Sequence, residues 1–291
     1  MAEHPELDKR RVRESFTRAA HTYDTAAVLQ REIADRLLER LDVVRLIPRR
    51  ILDVGCGTGY DVHLLSRRYR RARVTGLDIA EPMARRARRR AGAWNRLIGR
   101  CAFACGDAER LPVATASIDI LLSNLSLQWC DPPTVFAEAR RVLRVGGLFM
   151  FTTFGPDTLR ELREAWQTVD ATPHVHGFLD MHDLGDMLIN AGFADPVMDV
   201  ERVTLTYSDV IEVLRDLKRL GAHNMAATRA RGLTGKARFA RFRAAYEAMA
   251  RDGRIPATYE VVYGHAWTPE TERAHDGVAV VPVQRIGRRS A

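Results

Sequence analysis

The chain has 291 residues, 46% of them hydrophobic, so it can bury one substantial core, and 45 Lys plus Arg against 37 Asp plus Glu leave a net charge of +8. No stretch of about 18 apolar residues could span a membrane and Met1–Glu6 lacks a signal-peptide apolar region, so a cytoplasmic enzyme that does not engage a membrane is expected. Cys56, Cys101, Cys105 and Cys130 form no paired metal spacing with nearby histidines; Cys101 and Cys105, four apart on one strand, should share a face as small core residues.

In chain order, residues from about Lys9 to Arg45 read as a helical arm, with Val28, Ile33, Leu37, Leu38 and Leu41 at helical spacing. Strands are then expected at Arg50–Val54, Arg73–Asp78, Arg100–Cys105, Ile118–Asn124 and, after a turn at Gly146-Gly147, Leu148–Phe154. A helix near Met181–Ala191, closed by Gly192, precedes a strand around Val197–Tyr207, and the last strand is Thr258–Trp267. Alternating strands and helices predict an α/β fold, a mostly parallel sheet covered by helices on both faces. The expected divisions are an arm or lid (1–45), a core (46–207), a helical cap inserted before the last strand (208–256), the last core strand (257–269) and a tail (270–291) whose weak apolar periodicity suggests disorder.

The first strand runs into Ile51-Leu-Asp-Val-Gly-Cys-Gly-Thr-Gly-Tyr60, where glycines let backbone approach a ligand closely. By spacing alone, Gly55, Gly57 and Gly59 make either a tight strand-to-helix turn or a nucleotide-type cofactor loop. Ligands of such sheets bind at the carboxyl ends of the strands, and Gly55, Gly57, Asp78, Asp107 and Asn124 each lie just past one. The basic runs Arg67–Arg71 and Arg85–Arg90 fall after the first and second strands and lack interleaved aromatics for base stacking. They read as solvated helix faces, so no nucleic acid is expected, and the basic surface suits an acidic protein.

The set Asp53-Val-Gly-Cys-Gly-Thr-Gly59, Asp78, Cys105-Gly-Asp-Ala-Glu109 before Leu111-Pro112, and Ser117-Ile-Asp-Ile-Leu-Leu-Ser-Asn124 resembles the class I S-adenosylmethionine-dependent methyltransferases, whose sheet is seven-stranded and Rossmann-like. The resemblance implies S-adenosylmethionine as cofactor, cradled by Gly55, Cys56 and Gly57. Asp53 would orient the loop or meet the ammonium, and Asp78 would accept from the ribose. Asp107 would accept from the adenine amine beside the Ala108 backbone, and Met83 would pack on the adenine or simply in the core. Asn124 and the block through Trp129, Ser126 included, would face the transferred methyl.

Over nearly its full length the chain also resembles the malonyl-acyl-carrier-protein O-methyltransferases of biotin synthesis (the BioC family). The resemblance rests on Ser15-Phe-Thr-Arg-Ala-Ala-His-Thr-Tyr-Asp24, Ser123-Asn-Leu-Ser-Leu-Gln-Trp-Cys130, Phe151-Thr-Thr-Phe-Gly-Pro-Asp-Thr-Leu159, Phe178-Leu-Asp-Met-His-Asp183, Leu217-Lys-Arg-Leu-Gly-Ala-His-Asn224 and Tyr259-Glu-Val-Val-Tyr-Gly-His-Ala-Trp267. It implies methylation of the free carboxylate of malonyl-acyl-carrier protein, or of malonyl-coenzyme A. A mitochondrial respiratory-complex assembly factor that hydroxylates arginine looks related and stands as the alternative; an RNA methyltransferase is a third. A malonyl carboxylate is already ionised, so neither a general base nor a metal is required. An arginine should capture it, drawn from Lys218, Arg219, Arg229, Arg231 and Lys236, with Arg229 favoured. Tyr23 would reach substrate or cofactor from the folded arm, or be a buried structural tyrosine. His223 could hydrogen-bond substrate.

Overall fold

The computed structural model describes residues 7–222 and 235–270. The arm supplies α1 (Lys9–Ala19), α2 (Tyr23–Ala26) and α3 (Val28–Glu39). The core follows as β1 (Arg50–Val54), α4 (Tyr60–Arg68), β2 (Arg73–Asp78), α5 (Glu81–Arg90), α6 (Gly92–Leu97), β3 (Cys101–Cys105), β4 (Ile118–Ser123), α7 (Pro132–Val142), β5 (Leu143–Phe154), α8 (Arg160–Gln167), α9 (Met181–Asn190) and β6 (Ala194–Tyr207). Between β6 and the last strand, β7 (Ile255–Trp267), lie α10 (Val210–Leu220) and α11 (Lys236–Glu247).

The seven strands form one sheet in the order β3-β2-β1-β4-β5-β7-β6. The first five pair in parallel, and β7 is antiparallel to both its neighbours. The chain winds outward from β1 to β3 and then returns to place β4 on the other side of β1. That reversal opens a crevice at the carboxyl ends of β1 and β4, where such sheets bind ligands.

Strand periodicity divides the core. Ile51, Ile120, Leu122, Leu148 and Met150 face one layer with α3 and α4, whereas Leu52, Leu121, Phe149 and Phe151 face the other with α7 and α9. All six residues of β4 are buried, as a central strand covered on both faces requires, while edge strand β6 alternates between core and solvent.

The arm docks on the inserted helices through Ser15 Oγ, which donates to the Gly221 carbonyl (3.0 Å), and Thr22 Oγ1, which donates to the Arg219 carbonyl (3.0 Å). Asp209 caps α10 by accepting from the Glu212 amide, and Gly221 ends it with φ of 75°.

Several expectations need correction. Gly146-Gly147 lies inside β5, which starts at Leu143; the β4–β5 register shifts there, and Thr268 ties both glycines to the end of β7. β7 begins at Ile255, so it takes two residues from the expected insertion. Val28 is 59% exposed because it opens α3 on the outer side, unlike Ile33, Leu37, Leu38 and Leu41. Cys101 is buried but Cys105 is exposed, at the carboxyl end of the edge strand β3. Arg70 and Arg71 lie beyond the end of α4, exposed like Arg67 and Arg68. Residues 271–291 of the expected tail lie outside the described residues.

Candidate functional site

The loop after β1 is held by the end of β2: the amides of Gly55 and Cys56 both donate to the Leu77 carbonyl, at 2.8 and 3.0 Å. A Cβ at Gly55 would collide with the Ser126 side chain, so the loops after β1 and β4 pack directly together. Gly57 differs. Its φ is +51°, and a Cβ there would meet nothing nearer than the Tyr23 ring at 3.7 Å, leaving an open backbone cradle under the arm. Its amide donates to Asp78 Oδ2 (2.9 Å), while Asp78 Oδ1 accepts from the Ala80 amide (2.8 Å).

Three buried acids underlie this loop. Burial pushes the Asp78 carboxyl up to about 6, although the amides of Ala80 and Gly57 pull the other way. Asp61, in the first turn of α4, is pushed up to about 7, chiefly by burial, with an Asn124 hydrogen bond opposing. Asp53 is completely buried and neither of its carboxylate oxygens has a hydrogen-bond partner among the described residues; burial first, then Asp61 and Asp78, raise it well above the ordinary range. A cluster so constituted favours a cation beside it. Sequence reading passed over Asp61, whose place eight residues after Asp53 and just beyond Gly59 was the available signal.

Tyr23, Gly55, Gly57, Asp78, Met83, Asp107, Ala108, Asn124 and Ser126 all line one cavity of about 70 Å³ at the switch point. Cys56 is buried in the loop and borders a smaller adjoining cleft with Tyr23 and Asp61. Met83, 1% exposed, is both a core residue and part of the cavity wall. Asn124 is a crosspiece: Nδ2 donates to the Gln30 carbonyl (3.0 Å) and Asp61 Oδ2 (3.4 Å), and Oδ1 accepts from Thr152 Oγ1 (2.7 Å). The Ser126 hydroxyl bonds to Ser123 Oγ (2.6 Å) and the Val54 carbonyl (3.1 Å), so it serves to join β4 to the β1 loop.

The arm closes this cavity. Lys9 Nζ pairs with Asp107 Oδ1 (3.1 Å) and Glu109 Oε1 (2.7 Å), at the carboxylate expected to read adenine. Nothing local in the sequence linked Lys9 to Asp107. Asp24 accepts from Thr58 Oγ1 (2.6 Å) and pairs with Arg90 (3.0 Å), and Tyr23 is half-buried beside the acids, its phenol pushed upward by desolvation and by Asp78 and Asp61.

A second cavity, about 220 Å³, adjoins the first across Trp129, which lines both. It is bounded by α8, α10 and the 174–178 segment. The expected carboxylate-binding arginine, Arg229, lies outside the described residues, as do Arg231 and His223. Lys218, Arg219 and Lys236 are exposed and line neither cavity. Two His–Asp pairs that the sequence did not suggest are present: His182 with Asp180 at the cap of α9 (2.6 Å), and His174 with Asp170 (3.0 Å) in the wall of the second cavity. Neither histidine lines the first cavity. Among the described residues no group of three or more His, Cys, Asp or Glu could hold a metal, and no helix is long and apolar enough to cross a membrane.

A family model described as a methyltransferase domain matches residues 52–151. The chain is 52% identical over 278 residues, 94% of its length and 96% of the relative's, to a malonyl-acyl-carrier-protein O-methyltransferase of Gallionella capsiferriformans. It is 56% identical to one of Laribacter hongkongensis, with 90% of each chain covered. Among solved structures, the Bacillus YcgJ protein matches 81% of this chain and 98% of its own with a TM-score of 0.57 at 17% identity. A Haemonchus contortus phosphoethanolamine N-methyltransferase, solved with S-adenosylhomocysteine, matches 89% of this chain and 60% of its own with a TM-score of 0.54 at 16% identity. The structural matches speak to the fold, which is the class I methyltransferase fold.

Proposed function

The chain belongs to the malonyl-acyl-carrier-protein O-methyltransferase family, and from that premise we propose that it transfers a methyl group from S-adenosylmethionine to the free carboxylate of a malonyl thioester on acyl-carrier protein, giving the methyl ester used in making the pimeloyl precursor of biotin. The observation that carries the reading is the buried acid cluster of Asp53, Asp61 and Asp78 beneath an open glycine cradle, which fits a cationic cofactor with a ribose. A pyrophosphate-bearing dinucleotide would meet three acids there instead of neutral amides.

In this reading Asp61 faces the cofactor's ammonium with Asp53 buried behind the loop, Asp78 accepts from the ribose, and Asp107 with Ala108 borders the adenine, with Met83 on its face. When bound, the cofactor supplies an electrophilic methyl on a positively charged sulfur. The protein's part is position and dryness. Tyr23, Phe16 and Trp129 exclude water around the reacting oxygen, and no side chain must take a proton, because a malonyl carboxylate is ionised near neutrality. Carboxylate and sulfonium charges cancel during transfer, so a site of low polarity favours the change once the anion is inside. Lys9 and Tyr23 of the arm line the cavity, so the arm should shift as the cofactor enters and leaves.

An acidic carrier protein suits the surface better than a free thioester does. The chain carries +8, and Arg13 and Arg18 stand exposed on α1 as Lys218 and Arg219 do on α10. The alternative of an arginine-hydroxylating assembly factor is not favoured by the identities above.

Labelled methyl transfer tests the reading. We expect label in malonyl-acyl-carrier protein and none in acetyl-acyl-carrier protein; labelling of both, or of neither, defeats it. Malonyl-coenzyme A should be methylated with a higher KM.

A further inference from the structure

The second cavity has no assigned role, and its chemistry is specific. It holds about 220 Å³ against about 70 Å³ for the first. Its wall is mostly apolar, with Phe154, Leu162, Trp166 and Phe178 prominent, and no lysine or arginine is among the described residues that line it. Such a chamber suits the uncharged arm of a thioester, yet the malonyl end carries a full negative charge that a donor must meet.

Two imidazoles line the chamber. His174 is committed to the wall: its Nε2 lies 3.0 Å from Asp170, which α11 also engages through Arg238, and its ring stacks on Trp166 at 3.8 Å and 9°. His176 stands elsewhere. It is 6% exposed, and its ring lies 5.1 Å from that of Trp129, the residue shared by both cavities, and 4.6 Å from Phe178. It is therefore the imidazole beside the neck.

Resting on the function proposed above, we propose that the second cavity receives the acyl-thioester arm and that a ring N–H of His176 holds one oxygen of the substrate's free carboxylate at the neck, leaving the other oxygen to take the methyl. The reason for an imidazole is electrostatic. As the attacking oxygen gains the methyl, the carboxylate loses its charge, so a fixed guanidinium would stabilise the starting anion more than the transition state and raise the barrier. A ring N–H can orient the oxygen with no fixed charge on it. No proton is transferred at any point, and the imidazole keeps its hydrogen throughout.

The test uses the full chain with malonyl- and acetyl-pantetheine. His176→Phe keeps a ring against Trp129 and Phe178 but removes the donor, whereas His176→Gln restores an N–H. The Phe variant should lose about 10- to 100-fold in kcat/KM for malonyl-pantetheine, mostly in KM, with S-adenosylhomocysteine affinity by calorimetry within about twofold of the parent. The Gln variant should recover most of the loss. In the parent protein with S-adenosylhomocysteine bound, the His176 ring nitrogens, observed by 15N NMR, should shift on adding malonyl-pantetheine and not acetyl-pantetheine; this measurement decides the matter if the Phe variant does not fold. Undiminished turnover in His176→Phe, equal loss of cofactor affinity, no recovery in the Gln variant, or unmoved ring nitrogens would each overturn the role of His176. A parent enzyme that leaves malonyl-pantetheine and malonyl-acyl-carrier protein alike unmethylated would instead overturn the function on which the proposal rests.

Discussion

The two cavities meet at Trp129 and are built on opposite electrostatic terms. The first has buried acids beneath it, Asp53 and Asp78 near the carboxyl ends of β1 and β2 and Asp61 in the first turn of α4, all held rigidly by the sheet. The second is walled by aromatic and aliphatic side chains from α8, α10 and the 174–178 segment, and its titratable lining residues are imidazoles and a tyrosine. A methyl transfer that cancels charge needs both: an anionic seat to hold the cation in one orientation, and a weakly polar chamber that admits an anion without holding it too firmly. The difference teaches that the cofactor side is made of fixed backbone geometry, and the substrate side of helix packing.

The contrast is broken most severely at the cradle. Gly57→Val places a branched side chain at φ of +51°, a conformation that costs such a residue about 1–2 kcal/mol, in the space between the backbone and Tyr23. S-adenosylhomocysteine affinity should fall by about 100-fold or more, close to 3 kcal/mol, while circular dichroism remains that of a folded chain. Unchanged affinity by calorimetry would mean that the cofactor does not approach Gly57.

A smaller and opposite effect is expected from the acids. Asp61 and Asp78 are raised from 3.8 to about 7 and about 6. Below about pH 4 these groups are protonated in both states and carry no penalty. As pH rises the unfolded chain ionises first, so their contribution to folding becomes unfavourable and reaches its full size above about pH 7. The cofactor-free protein should therefore lose stability from these groups between about pH 4 and 7. Asp61→Asn should flatten that loss and stabilise the free protein at pH 7 by a few kcal/mol, while weakening cofactor binding. Urea unfolding at pH 5 and 7 decides it; an unchanged pH dependence would show that Asp61 is already compensated.

The smallest effect belongs to the arm. Lys9→Ala removes partly exposed ion pairs to Asp107 and Glu109, worth about 0.5–1 kcal/mol. Stopped-flow release of S-adenosylhomocysteine should quicken a few-fold with little change in Tm, and an unaltered rate would mean that another contact latches the arm.

The legible part of the molecule was local. Strand ends followed by Gly55, Gly57, Asp78, Asp107 and Asn124 could be read because a strand, its turn and the next helix leave period and glycine signals within about ten residues of one another. The same locality explains the errors. Val28 fitted the helical period but opens α3 on its outer side, Cys105 fitted the strand period but β3 is an edge, and Gly146-Gly147 looked like a turn but sits within β5. Asp61 belonged to the same stretch as the glycine loop, yet its significance lies in a burial shared with Asp53 and Asp78 that spacing does not express.

Sequence alone determined the alternation of strands and helices, the switch-point crevice and the residues at its lip, because each is encoded by periodicity and turn chemistry in neighbouring residues. Tertiary structure alone decided that Lys9 reaches Asp107, that the Ser126 hydroxyl is spent on joining two loops, and that Trp129 divides two cavities with His176 beside it. Those outcomes depend on pairs that lie about 45 to 100 positions apart in the chain, which only the packing of the arm and inserted helices against the sheet brings together.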